Sequence, residues 1–221
     1  MATELFDINP LNLQNTHWNE AFQNNKDMFG DRPSEPAVKT LQLLKNNGVS
    51  NVVELGGGQG RDTLFFAKNN IRVTALDYSQ EGIDEINRKV NSLGLADYVS
   101  AICYDIRKPL PFLDNSVDAC YAHMLFCMAL TTTELEFLSN EICRILKPGG
   151  ICIYTVRNTN DVHFGQGIHR GEDMYEVNGF IVHFFSEEKV KQLSKGFEVL
   201  NLDSFEEGEL PRKLYYVVLK K

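Results

Sequence analysis

Residues 52–67 read VVELGGGQGRDTLFFA. An apolar, β-branched run meets an acid at Glu54, four glycines fall within the five residues 56–60, and a helix-like pattern begins at Asp62. A strand that breaks into a glycine turn and then a helix is where α/β sheets bring bare backbone up to a ligand. The spacing of the glycines restricts the ligand. The dinucleotide fingerprint G-x-G-x-x-G requires its third glycine three residues after the second. Counted from Gly56 that position is Arg61, and counted from Gly58 it is Thr63. Glycine occurs instead at alternate positions, Gly56, Gly58 and Gly60.

The strand–helix alternation extends outward from this turn. The pattern predicts strands over 51–55, 71–76, 98–104, 117–122, 150–156, 197–202 and 214–219, with helices over 35–45, 62–68, 79–92, 133–146 and 186–193. Thr133 and Glu136 have capping-box spacing, and LKPGG at 146–150 is a helix stop. Such alternation implies a mostly parallel sheet with helices on both faces. The link DSFEEGELPRK at 203–213 is short for a helical crossover, so the last strand is expected to be antiparallel. Residues 1–34, with Trp18, Phe22 and Phe29, are expected to form an N-terminal cap segment. No linker, repeat or low-complexity stretch divides the chain, so 1–221 is expected to be a single domain.

The chain is 43% hydrophobic, enough for a full core, and carries a formal net charge of −8. That balance argues against a large phosphate-neutralising surface, so neither nucleic acid nor membrane is an expected partner. No apolar run approaches the roughly 20 residues that span a bilayer. MATELFDINP at the start has no basic stretch leading into an apolar one, so no secretory leader is expected. None of the five cysteines, Cys103, Cys120, Cys127, Cys143 and Cys152, forms a C-x-x-C pair. Reduced thiols in a cytoplasmic monomer or homodimer are expected.

Acids stand at or near the ends of the first three predicted strands: Glu54, Asp77 and Asp105. In open α/β sheets that edge forms the ligand crevice. Each acid also has a plainer reading: a charge-pair residue at Glu54, an N-cap at Asp77, a turn acid at Asp105. Taken in order with DNSVDACYAHMLFCM (114–128) and EICRILKPGGICIYTVRN (141–158), the E-x-G-x-G-x-G stretch resembles the motifs of the class I S-adenosyl-L-methionine (SAM)-dependent methyltransferases. The resemblance covers about residues 48–157 and, more loosely, the C-terminal strands. It implies an α/β, Rossmann-like fold with a seven-stranded, mostly parallel sheet whose last strand is antiparallel. It also implies transfer of the sulfonium methyl to a nucleophile by in-line displacement, leaving S-adenosyl-L-homocysteine.

Residue by residue, the resemblance implies that Gly56, Gly58 and Gly60 let the amino-acid tail of SAM lie on backbone, with Glu54 toward its ammonium. Asp77, with Tyr78 beside it, would accept both ribose hydroxyls. Asp105 would take the adenine amino group, the Ile106 amide would meet a ring nitrogen, and Ala122 in the fourth-strand motif would join the cofactor wall. Segments 17–34 and 56–79, matching at Trp18, Pro33, Gly60, Arg61 and Asp62, further resemble the tellurite-resistance and thiopurine-type branch of small-molecule methyltransferases. The later part of the chain departs from that branch, so no substrate is carried over.

The stretch after the fifth predicted strand, 158–186, is too long for a routine connection of about 2–6 residues. It holds His163, His169 and His183, and Asn178-Gly179 between apolar β-formers marks a hairpin. In that register Val177 opposes Phe180 and Met174 opposes His183. A substrate-side hairpin insertion is expected. Its histidines are candidates for substrate orientation or proton removal, for structural hydrogen bonding, or for a metal set of His163, His169, Glu172 and His183; no compact H-x-x-x-H spacing supports the last, and no metal is expected. The candidate catalytic group is His123, His163, His169, Tyr175 and Arg157, with His123 placed where the methyl would emerge or serving as a wall histidine. Arg157 and Arg170 either orient an anionic substrate or are surface charges. The expected function is methylation of a small-molecule acceptor by SAM. The alternatives are a tRNA or protein methyltransferase, or a non-catalytic SAM-binding module.

Overall fold

A computed structural model describes residues 8–208 and 212–221, and for Ile8 and Asn9 the backbone alone. Residues 1–7 of the expected cap segment and 209–211 of the last connection lie outside the described residues. Six helices are described: α1 (Ile8–Asn24), α2 (Glu35–Asn46), α3 (Arg61–Lys68), α4 (Gln80–Leu93), α5 (Thr132–Ile145) and α6 (Glu187–Leu193). The main sheet contains β1 (Asn51–Leu55), β2 (Arg72–Asp77), β3 (Val99–Cys103), β4 (Val117–His123), β5 (Leu146–Arg157), β9 (Glu198–Glu207) and β10 (Arg212–Lys220). Its order is β3-β2-β1-β4-β5-β10-β9. The first five of these strands run parallel, while β10 is antiparallel to both β5 and β9, as expected.

Side-chain alternation assigns each strand residue to one of two cores. Val53, Leu55, Cys120, Ala122, Cys152, Tyr154 and Val156 face Leu135, Leu138 and Ile142 of α5 and Val190 of α6. Val52, Val73, Tyr121 and Ile153 face Leu41 and Leu44 of α2, Phe66 of α3 and Ile83 and Ile86 of α4. Burial of both faces explains why the inner strands read as unbroken apolar runs rather than alternating ones.

Three details differ from the sequence expectation. The capping box forms at Thr131 and Glu134, not at Thr133 and Glu136. Thr132 is engaged elsewhere, its hydroxyl on Glu172 and Lys189. The LKPGG stretch ends the helix but already belongs to β5, because Leu146 pairs with Val117. β9 runs on to Glu207 and β10 begins at Arg212, which makes the connection between them shorter than the sequence suggested.

The insertion after β5 forms a second sheet, β6 (Ile168–Gly171), β7 (Met174–Val177) and β8 (Phe180–His183). The β7–β8 hairpin has the expected register, Val177 opposite Phe180 and Met174 opposite His183. Asn178 and Gly179 both take positive φ, 53° and 83°, as a type I′ turn requires. β6 adds a third strand that the sequence reading did not anticipate.

Candidate active site

The C-terminal ends of β1, β2 and β4 open into a cavity of about 380 Å³, roofed by Trp18 and Phe22 of α1 and by Phe180 and Val182 of β8. Glu54, Gly56, Gly58, Asp77, Tyr78, Asp105, Ile106, His123 and Arg157 all line it. Two expected cofactor residues do not. Ala122 points to the opposite face of the sheet from His123 and is buried in the α5–α6 core. Gly60 (φ 87°) is the N-cap of α3, and a Cβ there would lie 2.9 Å from Ile86 Cγ1, so its role is close packing of loop on helix.

The floor is built from backbone. Gly56 (φ 75°) turns the chain out of β1 with its N–H on Leu76 O at 2.7 Å. A Cβ on Gly56 would stand 3.0 Å from Leu125 Cδ1, so a side chain would close the cradle. Gly58 N–H donates to Asp77 Oδ2 (2.7 Å) and Ser79 N–H to Asp77 Oδ1 (2.8 Å). These backbone bonds fix the Asp77 carboxylate, and burial raises its pKa against them. Gly82, in the first turn of α4, was not singled out from the sequence. A Cβ on it would lie 2.6 Å from Gly58 O, so its missing side chain lets α4 press against the glycine turn.

Glu54 is 3% exposed, and its carboxylate accepts a hydrogen bond from the Thr63 hydroxyl. Burial first, then the Asp62 carboxylate, push its pKa up to about 8. Asp62 itself is spoken for by Ser34 N–H and Oγ and by the Tyr121 hydroxyl. Arg61 pairs with Asp62 at 3.4 Å, yet burial keeps Glu54 reluctant to ionise, an environment in which a cationic ligand would favour the carboxylate. Asp105 differs: its carboxylate is gripped by Arg107 through Nε (3.0 Å) and Nη2 (2.8 Å), and Arg107 also reaches Asn12 on α1. Burial raises the Asp105 pKa, but the Arg107 bonds outweigh it and the net shift is downward. The glycine cradle, Asp77 and Asp105 thus lie along one wall of the cavity.

The other end of the cavity is made by the far half of the sheet. His123 Nδ1 lies 2.8 Å from Thr155 Oγ1, its neighbour across the β4–β5 ladder, and Thr155 Oγ1 also accepts from Met124 N–H (3.0 Å). Met124 holds an uncommon positive φ of 59° to make that bond. His123 Nε2 faces Glu207 Oε2 at 3.4 Å. Burial raises the Glu207 pKa, but His123 and nearby positive charge reverse this and leave it lowered. Glu207 and Arg212 both line the cavity. Neither was found from the sequence, because the stretch 203–213 reads as a polar link and only the extended β9–β10 ladder brings them to the crevice.

Beside this end lies a smaller cavity of about 180 Å³, lined by His163 and Tyr175 and sharing Arg157, Arg212, Phe180 and Val182 with the larger one. Arg157 is buried, held by Asp161 and 2.7 Å from His163 Nδ1. His169 packs on the Tyr175 ring at 5.0 Å and lines neither cavity. His183 is fully buried, its Nδ1 donating to Leu130 O (2.7 Å) and its Nε2 meeting Lys189 Nζ. Burial and the Lys189 charge pull its pKa down to about 4, so it stays neutral and structural. Among the described residues no group of three His, Cys, Asp or Glu could hold a metal ion. Arg170 pairs with Glu176 on the neighbouring strand.

Residues 52–150 match the family model for a methyltransferase domain. The chain is 35% identical over 121 residues to phosphoethanolamine N-methyltransferase 1 of Triticum aestivum, covering 54% of this chain and 24% of that one. It is 30% identical over 123 residues to a tRNA N(3)-methylcytidine methyltransferase of Schizosaccharomyces pombe, covering 52% and 39%. The chain thus spans well under half the length of these curated relatives. In structure it resembles 1,6-didemethyltoxoflavin-N1-methyltransferase of Burkholderia thailandensis, solved with S-adenosylhomocysteine, at a TM-score of 0.76 and 15% identity over 100% of this chain and 92% of that one. Residues 52–150 thus match a methyltransferase domain, and the chain shares its fold with this solved structure.

Proposed function

We propose that the protein transfers the methyl group of SAM to a small-molecule acceptor. The observation that carries this reading is the row of strand-end acids Glu54, Asp77 and Asp105 along one cavity, with Glu54 buried and its pKa pushed up to about 8. When bound, SAM supplies a methyl already activated by a sulfonium. The residues of the chain hold the cofactor, exclude water beneath α1 and β8, and place a nucleophile in line; such positioning and dehydration can supply most of the acceleration. A small acceptor is favoured because the space beside Arg157 and Arg212 is a side cavity of only about 180 Å³. The net charge of −8 favours it over tRNA, and five unpaired cysteines favour a reducing, cytoplasmic compartment.

Calorimetry tests the cofactor directly. SAM and S-adenosylhomocysteine should bind and NAD should not. Asp77→Ala should weaken binding by about 1.5–3 kcal/mol, the range for hydrogen bonds to a charged group. Binding of NAD with none of SAM would overturn the reading, and submicromolar tRNA binding at physiological salt would replace the small acceptor with a nucleic-acid one.

A further inference from the structure

The roof helix α1 meets the two ends of the cavity with different side chains. Leu11, Gln14, Trp18 and Phe22, three or four residues apart, form its face over the cavity. The Phe22 ring rests on the glycine turn, its Cζ 3.6 Å from where a Cβ on Gly58 would stand. A second row, Asn12, Asn15 and Asn19, has the same helical spacing and lines neither cavity. Each of its members holds a group beside a strand-end acid. Asn12 Oδ1 accepts from Arg107 Nη1 (2.9 Å), and the same guanidinium grips Asp105. Asn15 Nδ2 donates to the carbonyl of Tyr78 (2.7 Å), the residue after Asp77. Asn19 Oδ1 accepts from Ser79 Oγ (2.8 Å), and Ser79 N–H donates to Asp77.

At the other end α1 completes an edge strand. β8 is an outer strand of the β6-β7-β8 sheet, so the backbone groups on its free edge point away from β7 and need partners elsewhere. His183 N–H finds Cys127 O (2.9 Å). Ile181 N–H finds Gln14 Oε1 (3.3 Å), and Gly179 O accepts from Gln14 Nε2 (2.8 Å). Ile181 is 2% exposed and Gln14 6%, so an α1 that moved away would leave a buried N–H without an acceptor. The place of the hairpin thus depends on α1, and the place of α1 depends on the residues around Asp77 and Asp105. The helix and the hairpin both lie outside the matched residues 52–150.

We propose that α1 couples the two ends: filling the cofactor end seats the helix, and the seated helix fixes the β7–β8 hairpin over the acceptor end through Gln14. The proposal rests on the SAM reading above. A ligand beside Asp77 and Asp105 packs under Trp18 and Phe22, which line the same cavity, so it binds the seated helix better than a lifted one. That difference in affinity is what shifts the population, and it is the whole of the shift. The coupling runs both ways. An acceptor that holds the hairpin down raises cofactor affinity by the factor by which the cofactor raises its own. Gln14 is a positioning residue, since it acts on the acceptor end through the hairpin, while the asparagine row acts on the cofactor end through Arg107, Tyr78 and Ser79.

The test is hydrogen exchange of single amides, read by NMR on the full chain with and without saturating S-adenosylhomocysteine. In the wild type the ligand should slow exchange at Phe22 in α1 and at Ile181 in β8, each by about ten-fold or more, within the usual range of coupling between sites. In Gln14→Ala it should still slow Phe22 but leave Ile181 within about two-fold of its ligand-free rate. The asparagine row gives a second measurement, because it lines neither cavity. Asn15→Ala combined with Asn19→Ala should speed dissociation of S-adenosylhomocysteine by about ten-fold or more. The emission of Trp18, the single tryptophan of the chain, follows that rate. Equal slowing of Ile181 in Gln14→Ala and in the wild type would overturn the proposal, because the ligand would then hold the hairpin without α1. An Ile181 amide that does not respond in the wild type, or an unchanged dissociation rate in the double variant, would overturn it as well. Failure to bind S-adenosylhomocysteine at all would overturn the SAM reading instead.

Discussion

Glu54 carries a consequence for both ligand affinity and stability. With its pKa near 8 in the empty protein, it holds a proton at pH 6 that a cationic ligand would expel. SAM affinity should therefore rise with pH up to about 8, by as much as ten-fold per unit, and Glu54→Gln should flatten that rise; calorimetry from pH 6 to 8.5 reads both. Stability runs the other way. In the unfolded chain Glu54 ionises near its ordinary value of 4.5, while the folded chain keeps the proton until about 8. Between those values the unfolded state binds fewer protons, so this group's contribution to stability falls as pH rises, on the order of a few kcal/mol in total. Glu54→Gln should melt higher than the wild type at pH 8 by a margin that shrinks toward pH 5. These acids were legible in the sequence because each stands where an apolar run stops. Glu207 was not, since an acid within SFEEGEL has no apolar run to mark its strand.

At the scale of the element, the close contact between α4 and the glycine turn sets up a competition. Gly82→Ala should gain about 1 kcal/mol of helix propensity. It must also place a Cβ 2.6 Å from a backbone oxygen that cannot rotate away, and overpacking of this kind costs about 1–3 kcal/mol. The clash should win. The variant should melt lower, and because the displaced oxygen belongs to Gly58 it should also lose SAM affinity; thermal melts with and without SAM separate the two effects. In the insertion, Tyr175→Phe and His163→Ala remove groups from the side cavity alone. They should alter acceptor KM or turnover while leaving SAM affinity within a few-fold, measured on the same preparations. The hairpin could be read from Asn178-Gly179 because two consecutive positive φ values demand such residues. β6 could not, since IHRG has neither alternation nor β-branched content beyond its first residue.

For the molecule as a whole, the sheet order joins residues far apart in sequence into one crevice. Acids from β1 and β2 serve one end, and the β9–β10 ladder, more than 120 residues later, serves the other. The first half was readable because it is local strand–turn–helix grammar. The second depended on how far an edge ladder extends, which only pairing with β5 and β10 decides. The roof over both ends is similarly non-local. Gln14 of α1 donates to Gly179 O (2.8 Å) and accepts from Ile181 N–H (3.3 Å) of the hairpin, while Asn15 fastens the same helix to Tyr78 O (2.7 Å). The hairpin can lift from α1 only by breaking both Gln14 bonds. If product leaves by the hairpin lifting, turnover is tied to friction with the solvent, because escape then waits on a segment moving through water. Sucrose or glycerol at graded viscosity should slow kcat in the wild type in proportion, whereas Gln14→Ala, with its latch removed, should turn over at a rate that viscosity no longer governs.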